Sequence, residues 1–239
     1  MGLDTVFKKA AQTGAKAFAG IFVPIEYETR SSTVYDPDTG LVLSSTTYEN
    51  TKMMFDQYAQ KEIDNERILP TDVKGVIPQN DLTITPVIGD SIFKIGDNVI
   101  SDGGFDSSTS WDIGSGWSLS SSMAVCDGTQ NGTIAQGSAT LSSNRYIIGY
   151  DLALASGIVN SYVQGKFVFQ HTASATSFKA KTVIGNGSNN ISFVSQNSPN
   201  SFNGNIDNVV LYPVIDEYNV IAIKQDAAGA MWEMQLRKR

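Results

Sequence analysis

The stretch Gly89-Asp90-Ser91-Ile92-Phe93-Lys94-Ile95-Gly96-Asp97 decides the interpretation of the fold. Its apolar residues lead into a Gly-Asp turn, which is a good signal for a β-hairpin. A hairpin needs its second strand within a few residues, but the sequence after Asp97 does not supply one. A suitable strand follows only at Glu217-Tyr218-Asn219-Val220-Ile221-Ala222-Ile223. We therefore predict that a separate domain is inserted at the tip of this hairpin.

Removing residues 98–216 leaves a continuous three-strand pattern. The strand at 217–223 is followed, after a polar turn, by a last strand with the sequence Met231-Trp232-Glu233-Met234-Gln235-Leu236. Turn tips tolerate insertions because both ends of the inserted piece can leave from one point. The sequence thus predicts two domains, a discontinuous frame formed by 1–97 and 217–239, and an insert formed by 98–216.

The composition changes at the same two boundaries. The frame carries thirteen of the seventeen basic residues, whereas the insert carries only Arg145, Lys166, Lys179 and Lys181. The insert is instead rich in Ser, Asn, Gly and Thr. Two domains with different roles are the simplest explanation of this difference.

The frame is predicted to be a small β-barrel with an N-terminal helix. The helix is indicated by apolar residues at helical spacing between Leu3 and Phe18, with Gly20 able to end it. Alternating apolar and polar residues then indicate strands, and Tyr35-Asp36-Pro37-Asp38-Thr39-Gly40 has the residues of a tight turn. The predicted strands of this part cover residues 25–29, 41–48, 52–58, 73–78 and 82–86.

Several classes of function find no support in the sequence. A net charge of −7 argues against a broad nucleic-acid-binding surface, because phosphate contacts need clustered Lys or Arg. The one cysteine, Cys126, cannot form an internal disulfide, and the one histidine, His171, leaves no cluster for zinc or for a hydrolytic triad. No apolar run is long enough to span a bilayer, and the N-terminus does not resemble a secretory signal. We therefore expect a protein that is not an enzyme.

The insert is predicted to be an all-β sandwich or jelly roll. Strand-like runs are separated by clusters of Gly, Ser and Asn, which is the spacing typical of such folds. The predicted strands cover residues 123–126, 133–135, 145–153, 162–171, 178–184, 191–195 and 206–212.

The frame resembles the small head-closure (stopper, or head–tail joining) proteins of the neck of tailed bacteriophages. The likeness rests on the order of its motifs: the turn at 35–40, the run from Gly89 to Gly96 continued by Tyr218 and Val220, and the final strand that ends in Arg237. The resemblance implies a structural protein of the virion neck, assembled in the cytoplasm of a host bacterium. Its copies would form a ring, usually of twelve, between the portal or adaptor and the tail. The genomic DNA would pass through the channel of this ring.

A polar loop of the frame is our prediction for the part that lines the pore or docks a neighbour. Its charged residues are Lys61, Glu62, Asp64, Glu66 and Arg67. The alternative is that they form a solvated connection between strands. The basic residues Arg237, Lys238 and Arg239 could likewise contact DNA phosphates or form a disordered, solubilising tail.

The insert resembles the jelly rolls of carbohydrate-binding modules (galactose-binding-like). The opening Asn98-Val99-Ile100-Ser101-Asp102-Gly103-Gly104-Phe105-Asp106 and the late Ile206-Asp207-Asn208-Val209 carry this likeness. It implies a sugar-stacking platform, for which Trp111, Trp117 and Tyr162 could serve. The alternative is that the tryptophans pack in the core. It also implies a structural calcium, for which Asp106 and Asp207 would be the acids, although Asp207 could equally cap a turn.

Three functions remain open. The first is a neck-ring protein whose insert decorates the outside of the neck. The second is a virion-anchored adhesin in which the sandwich binds a host glycan. The third is a tail-completion or tail-terminator ring, which uses similar small barrels one position further down.

Overall fold

The computed structural model describes residues 13, 21–30, 34–36, 41–43, 46–137, 145–183, 191–196, 201–226 and 229–239. The N-terminal helix predicted between Leu3 and Phe18 lies outside these residues except at Thr13, and residues 37–40 of the predicted turn lie outside them as well. The described strands are β1 (Val23–Arg30), β2 (Val34–Asp36), β3 (Leu41–Leu43), β4 (Thr46–Gln57), β5 (Asp72–Pro78), β6 (Ser91–Ile95), β7 (Trp111–Ile113), β8 (Trp117–Ser120), β9 (Met123–Asp127), β10 (Thr133–Gln136), β11 (Arg145–Ser156), β12 (Val159–Val163), β13 (Lys166–His171), β14 (Ala175–Val183), β15 (Ile191–Ser195), β16 (Asn203–Gln225) and β17 (Met231–Lys238). Short 3-10 helices cover Gln60–Glu62 and Gln79–Asp81. The predicted mainly β fold is confirmed.

The chain divides into two compact units. One consists of Met1–Ile95 and Ile215–Arg239 and is called the barrel below, and the other, Gly96–Val214, is called the sandwich. The boundaries predicted from the sequence lie two residues further along the chain at each junction. The second boundary falls within β16, which contributes its first part to the sandwich and its last part to the barrel.

Six strands of the barrel form a closed ring. Their order is β6-β1-β4-β5-β17-β16, and pairing of β16 with β6 closes the circle. Alternation along β1 directs Ile25 and Tyr27 into the interior, where both are fully buried. The core is completed by residues from the other strands and from one loop, namely Met53, Ile77, Leu82, Ile92, Tyr218, Val220, Met234 and Leu236.

The closing pair of strands is the hairpin expected from the sequence. Immediately before β6, the amide of Asp90 donates to the carbonyl of Val87, and Gly89 has a φ of 97°. This geometry is that of a tight turn with glycine in its third position. Gly89 and Asp90 both lie opposite Val220, to which they are joined by hydrogen bonds of 2.9 Å. Residues 89–95 therefore find their partner strand in the segment after 214.

One predicted strand of the barrel is a loop. Residues 82–86 were expected to be extended and paired, but none of them belongs to a strand. Leu82 is buried in the barrel core, and the carboxylate of Glu49 accepts hydrogen bonds from the amides of Thr83 and Ile84. The apolar residues that indicated a strand are present because the loop packs against the barrel core, not because it joins the sheet.

Other strand boundaries also differ from the predictions. Residues 162–171 form two strands, β12 and β13, because Gln164 and Gly165 make a two-residue turn in which both φ angles are positive. Within the strand expected over 41–48, residues 41–43 belong to β3 and residues 46–48 to β4, and these two strands lie in different sheets. Strands β7 and β8, of three and four residues, were not predicted.

The insert is a sandwich of two five-stranded antiparallel sheets, as predicted. One sheet has the order β14-β11-β16-β9-β8, and the other has the order β13-β12-β15-β10-β7. Without the edge strands β7 and β8, this is the strand order of a jelly roll. Side chains from both sheets meet in one core, which includes Trp111, Trp117, Tyr150, Phe193, Phe202 and Ile206.

Candidate functional site

The two tryptophans of the insert are core residues. Trp111 is 4% exposed and Trp117 is 6% exposed. The Trp111 ring packs against Phe105 at 4.5 Å between centroids, and that of Trp117 packs against Phe202 at 5.5 Å. Burial leaves neither indole face available to a sugar, so the platform interpretation is corrected for these two residues. Sequence reasoning could not separate the alternatives because both require an aromatic residue next to the first strands.

Tyr162, the third predicted platform residue, faces away from the core. Its neighbours Ser161 and Val163 point inward, and the strand alternation therefore turns Tyr162 outward. Phe167, on the adjoining strand, is half-exposed and meets the Tyr162 ring edge-to-face at 5.8 Å. On the same face, the buried Oδ1 of Asn160 has no hydrogen-bond partner within the described part of the chain. The sequence did not single out Phe167 or Asn160.

The segments that carry the two predicted calcium ligands adjoin each other. The amide of Val209 donates to the carbonyl of Gly103 at 2.9 Å, which fixes the opening loop against β16. Asp106 is exposed, whereas one carboxylate oxygen of Asp207 accepts the amide of Asn208 at 2.7 Å, as a turn cap would. Among the residues described, no group of three or more His, Cys, Asp or Glu is placed to hold a metal ion. A structural calcium at this place stays a prediction.

The polar loop of the barrel is held by its own carboxylates. Oδ1 of Asp64 accepts the amides of Glu66, Arg67 and Ile68 at distances of 3.0, 2.8 and 2.9 Å. These backbone hydrogen bonds lower the pKa of Asp64. The loop therefore has a defined conformation although its charged side chains lie at the surface.

Glu62 joins this loop to β5. Its carboxylate forms an ion pair with Lys74 at 3.0 Å and accepts the amide of Ala59 at 2.8 Å. The pKa of Glu62 is lowered, first by the hydrogen bond from Lys74 and then by that from the backbone. The Lys74 ammonium also lies 4.9 Å from the centre of the Tyr58 ring. The loop borders a groove of about 310 Å³ whose other walls include Ile223 and Met234.

Arg237 anchors the same region from the last strand. It makes two hydrogen bonds of 2.9 Å to the carboxylate of Asp72, whose side chain has no exposed surface. Gln235 adds one bond to Asp72 at 2.7 Å and one to the carbonyl of Arg67 at 2.6 Å. Hydrogen bonds from these donors hold the pKa of Asp72 below its usual value, and the bond from Arg237 has the largest effect. The predicted loop is thus fastened to β17.

The three basic residues at 237–239 do not form a disordered tail. Arg237 and Lys238 belong to β17, and each of the three pairs with an acid: Arg237 with Asp72, Lys238 with Asp216, and Arg239 with Glu217. The disordered alternative is corrected because strand pairing and ion pairs fix these residues. Acidic side chains of the barrel already compensate their charges, so contacts with DNA phosphates are not needed to account for these basic residues.

A buried polar group in the sandwich was missed by sequence reasoning. The hydroxyl of Tyr150 donates to Ser161 Oγ at 2.9 Å and lies 2.6 Å from Nε2 of His171. His171 is 4% exposed, and burial lowers its pKa to about 4. Burial also raises the pKa of Tyr150. No local signal could have found this group, since its members are brought together by strands from both sheets.

Comparison with known proteins does not assign a family. No protein-family model matches the sequence, and no curated protein matches it. Among solved structures, the chain is similar to the crystal structure of a GH31 alpha-xylosidase from Xanthomonas citri, with 8% sequence identity and a TM-score of 0.22. This similarity covers 87% of the present chain and 27% of the xylosidase chain. A TM-score of this size carries no argument about fold or function.

The class of protein is therefore defined by its fold, without help from the comparisons. It is an antiparallel all-β protein in which a six-stranded barrel carries a jelly-roll sandwich, inserted between two strands that pair with each other. In the part of the chain that the structure describes, none of the helices has the length and apolar character required to cross a membrane.

Proposed function

We propose that this chain is a structural protein of the neck of a tailed-phage virion. Its barrel forms a ring between the portal or adaptor and the tail, closes the DNA exit channel and docks the tail. The sandwich decorates the outside of the neck. The observation that carries the proposal is the pairing of β6 with β16, which makes the barrel one continuous unit despite the insertion. The motif order that resembles head-closure proteins is spread over the two chain segments that form this unit.

The loop at residues 59–70 supports a role in docking. A surface that must meet a neighbour repeatedly is best held in its bound conformation beforehand, because ordering it on binding costs free energy. Asp64, Glu62 and Asp72 supply this order through bonds to backbone amides and to basic side chains. Four charged residues, Lys61, Glu62, Glu66 and Arg67, remain at or near the loop surface, where they can select the partner by charge.

The overall charge agrees with a channel that lets DNA pass. The chain has a net charge of −7, and the basic residues at 237–239 are paired with acids. A channel of this character repels the DNA backbone, so the genome is not retained by its walls. The ring would therefore hold DNA by obstruction and would release it without breaking phosphate contacts.

Electron microscopy of particles assembled without this chain tests the proposal. We expect DNA-filled heads that lose their genome and carry no tail. Supplying the intact chain should restore stable, tailed particles. Stable filled heads next to unfinished tails would instead indicate a tail-completion ring and would refute head closure. A deletion that leaves assembly unchanged would refute both roles.

A glycan-binding adhesin is the second function that a specific observation favours. On the outer face of the sandwich, Tyr162 and the half-exposed Phe167 offer apolar rings that meet edge-to-face at 5.8 Å. Sugars present flat C–H faces, on which aromatic rings can stack. This placement replaces the platform first expected at Trp111 and Trp117.

Binding of the full chain to an array of bacterial surface glycans tests the adhesin function. Tyr162→Ala should then weaken binding about tenfold or more, because one stacked ring contributes on the order of 1–2 kcal/mol. Val183→Ala, at an exposed residue of β14, is the matched control and should leave binding unchanged. Failure of the intact chain to bind any glycan removes this function and leaves the neck-ring proposal standing.

A further inference from the structure

The charges of the sandwich are separated by sign. The unit contains eleven charged residues, four basic and seven acidic, and all of them are among the described residues. The basic four lie on one side. Lys166 begins edge strand β13, Lys179 and Lys181 belong to edge strand β14, and Arg145 begins β11 directly opposite Val183 of β14.

The opposite side carries acids and no base. Asp112 belongs to edge strand β7, and Asp127 ends β9, where its amide donates to the carbonyl of Gly116 in the β7–β8 turn. Asp102 and Asp106 lie in the loop before β7, and the carbonyl of Asp102 accepts the indole N–H of Trp111. The remaining acids are Asp97, Asp151 and Asp207. Asp151 approaches the basic side, where its carboxylate accepts the amide of Ser177, and Asp207 lies opposite Asp151 on β16.

The two charged sides are the two edges of the sandwich. Strands β13 and β14 end their respective sheets and lie against each other, while β7 and β8 end the same sheets on the far side. On the basic edge, Phe167 is 50% exposed, Phe169 45% and Val183 46%. Edge strands with exposed apolar residues are surfaces on which another chain can pack.

We infer that the basic β13–β14 edge of one sandwich docks on the acidic β7–β8 edge of the sandwich in a second copy of this chain. Charge complementarity selects this partner, because each copy presents both surfaces and presents them on opposite sides. Such a contact is heterologous, which is the kind that repeats around a ring. The inference rests on the proposed neck ring, to which it adds an outer circle of sandwich contacts.

A polyanion is the other partner that a basic edge could attract. Four basic residues with an acid among them form a small surface for phosphate binding, and a polyanion would leave the acidic edge without a role. The second copy accounts for both edges at once. A gel-shift assay with single-stranded and double-stranded DNA distinguishes a polyanion from a second copy of the chain. If the intact chain binds DNA and the basic-edge variant described next does not, the choice of a second copy as the partner is overturned.

Charge-reversed variants of the full chain test the docking. In the basic-edge variant, Lys166→Glu and Lys181→Glu leave two bases beside two new acids on that edge. In the acidic-edge variant, Asp106→Lys and Asp112→Lys leave two acids beside two new bases. Lys52→Glu with Lys224→Glu in the barrel is the matched control for the basic-edge variant, since it changes the net charge by the same amount. Sedimentation velocity at low salt measures assembly, and circular dichroism confirms that each variant is folded.

Each edge variant alone should assemble about tenfold or more weakly than the intact chain, because attraction across two rim pairs becomes repulsion. An equimolar mixture of the two edge variants should recover assembly, since the unaltered acidic edge of one variant then meets the unaltered basic edge of the other, and the altered edges carry exchanged charges. Folded edge variants that assemble like the intact chain or like the barrel control, or a mixture that does not recover, would overturn the inference. If all variants form the same closed ring, the neck ring stands and the docking fails. If assembly depends on the edges but gives open chains, the docking stands and the ring fails.

Discussion

At the scale of single residues, the barrel and the sandwich differ in how they accommodate buried polar groups. In the barrel, buried carboxylates accept hydrogen bonds from several donors: Asp72 has Arg237, Gln235 and an amide, while Asp90 has Tyr27 and Thr29. In the sandwich, the buried group of Tyr150, Ser161 and His171 is neutral. Charged groups therefore fix the fold of the first unit, whereas the second depends on keeping a histidine unprotonated.

Removal of Arg237 should destabilise the barrel. In Arg237→Ala, the buried Asp72 carboxylate loses its counter-charge, and we expect a loss of about 2 kcal/mol, below the usual value for fully buried pairs because Arg237 itself is partly exposed. Lys238→Ala breaks the more exposed pair with Asp216 and should change stability by less than about 1 kcal/mol. Urea unfolding of both variants measures the difference, and equal effects would contradict the assigned role of Asp72.

Acid should destabilise the sandwich through His171. Its pKa in the folded state is about 4, below the ordinary value of 6.5, so the unfolded chain binds the proton more readily. The contribution of neutral His171 to the free energy of unfolding is fully present above pH 6.5 and is lost as the pH falls towards 4. The loss is on the order of 3 kcal/mol. His171→Gln keeps a polar group and removes this titration. The stability difference between pH 7.5 and 4.5, measured by urea unfolding, should shrink by about 2–3 kcal/mol in the variant, and an unchanged difference would contradict the account.

At the scale of elements, long alternating runs were predictable and tightly packed loops were not. Strands β1, β5, β15 and β17 follow from local alternation, which survives in the structure because one face of each strand packs on a core. Residues 82–86 have the same apolar character but form a loop, since Leu82 is drawn into the barrel interior and Glu49 satisfies the backbone amides. The distinction depends on residues more than thirty positions away and is absent from the local pattern.

The opening loop of the sandwich illustrates a second non-local constraint. A Cβ atom at Gly103 would lie 1.9 Å from the carbonyl oxygen of Val209, whereas one at Gly104 would meet only Asp106, at 3.9 Å. Gly103→Ala should therefore force the loop away from β16 and destabilise the sandwich by about 1–3 kcal/mol. Gly104→Ala, the adjacent control, should have an effect of less than about 1 kcal/mol. Thermal unfolding of the two variants compares them, and similar melting temperatures would contradict the close approach of the loop.

At the scale of the whole molecule, the organisation into frame and insert was readable because a hairpin signal and its partner strand are separated in the sequence. The candidate sites were harder to predict. Trp111 and Trp117 have the composition of a binding platform, but their burial depends on how two sheets close over them. Phe167 joins Tyr162 only through strand pairing. The ion pair of Arg237 forms only when β5 and β17 are side by side, and those of Lys238 and Arg239 only when β16 and β17 are.

The central claim is that a self-contained barrel forms a ring and that the sandwich is an addition to it. Single-particle electron microscopy of the full chain, beside a variant lacking residues 98–214, tests this claim most directly. In the variant, Gly96 and Asp97 would serve as a two-residue turn from β6 to the rest of β16, in the register set by Asp90 and Val220. We predict closed rings with a central channel in both samples, with an outer layer of density only in the full chain. Dispersed monomers in both samples, or a deletion variant that does not fold, would contradict the account.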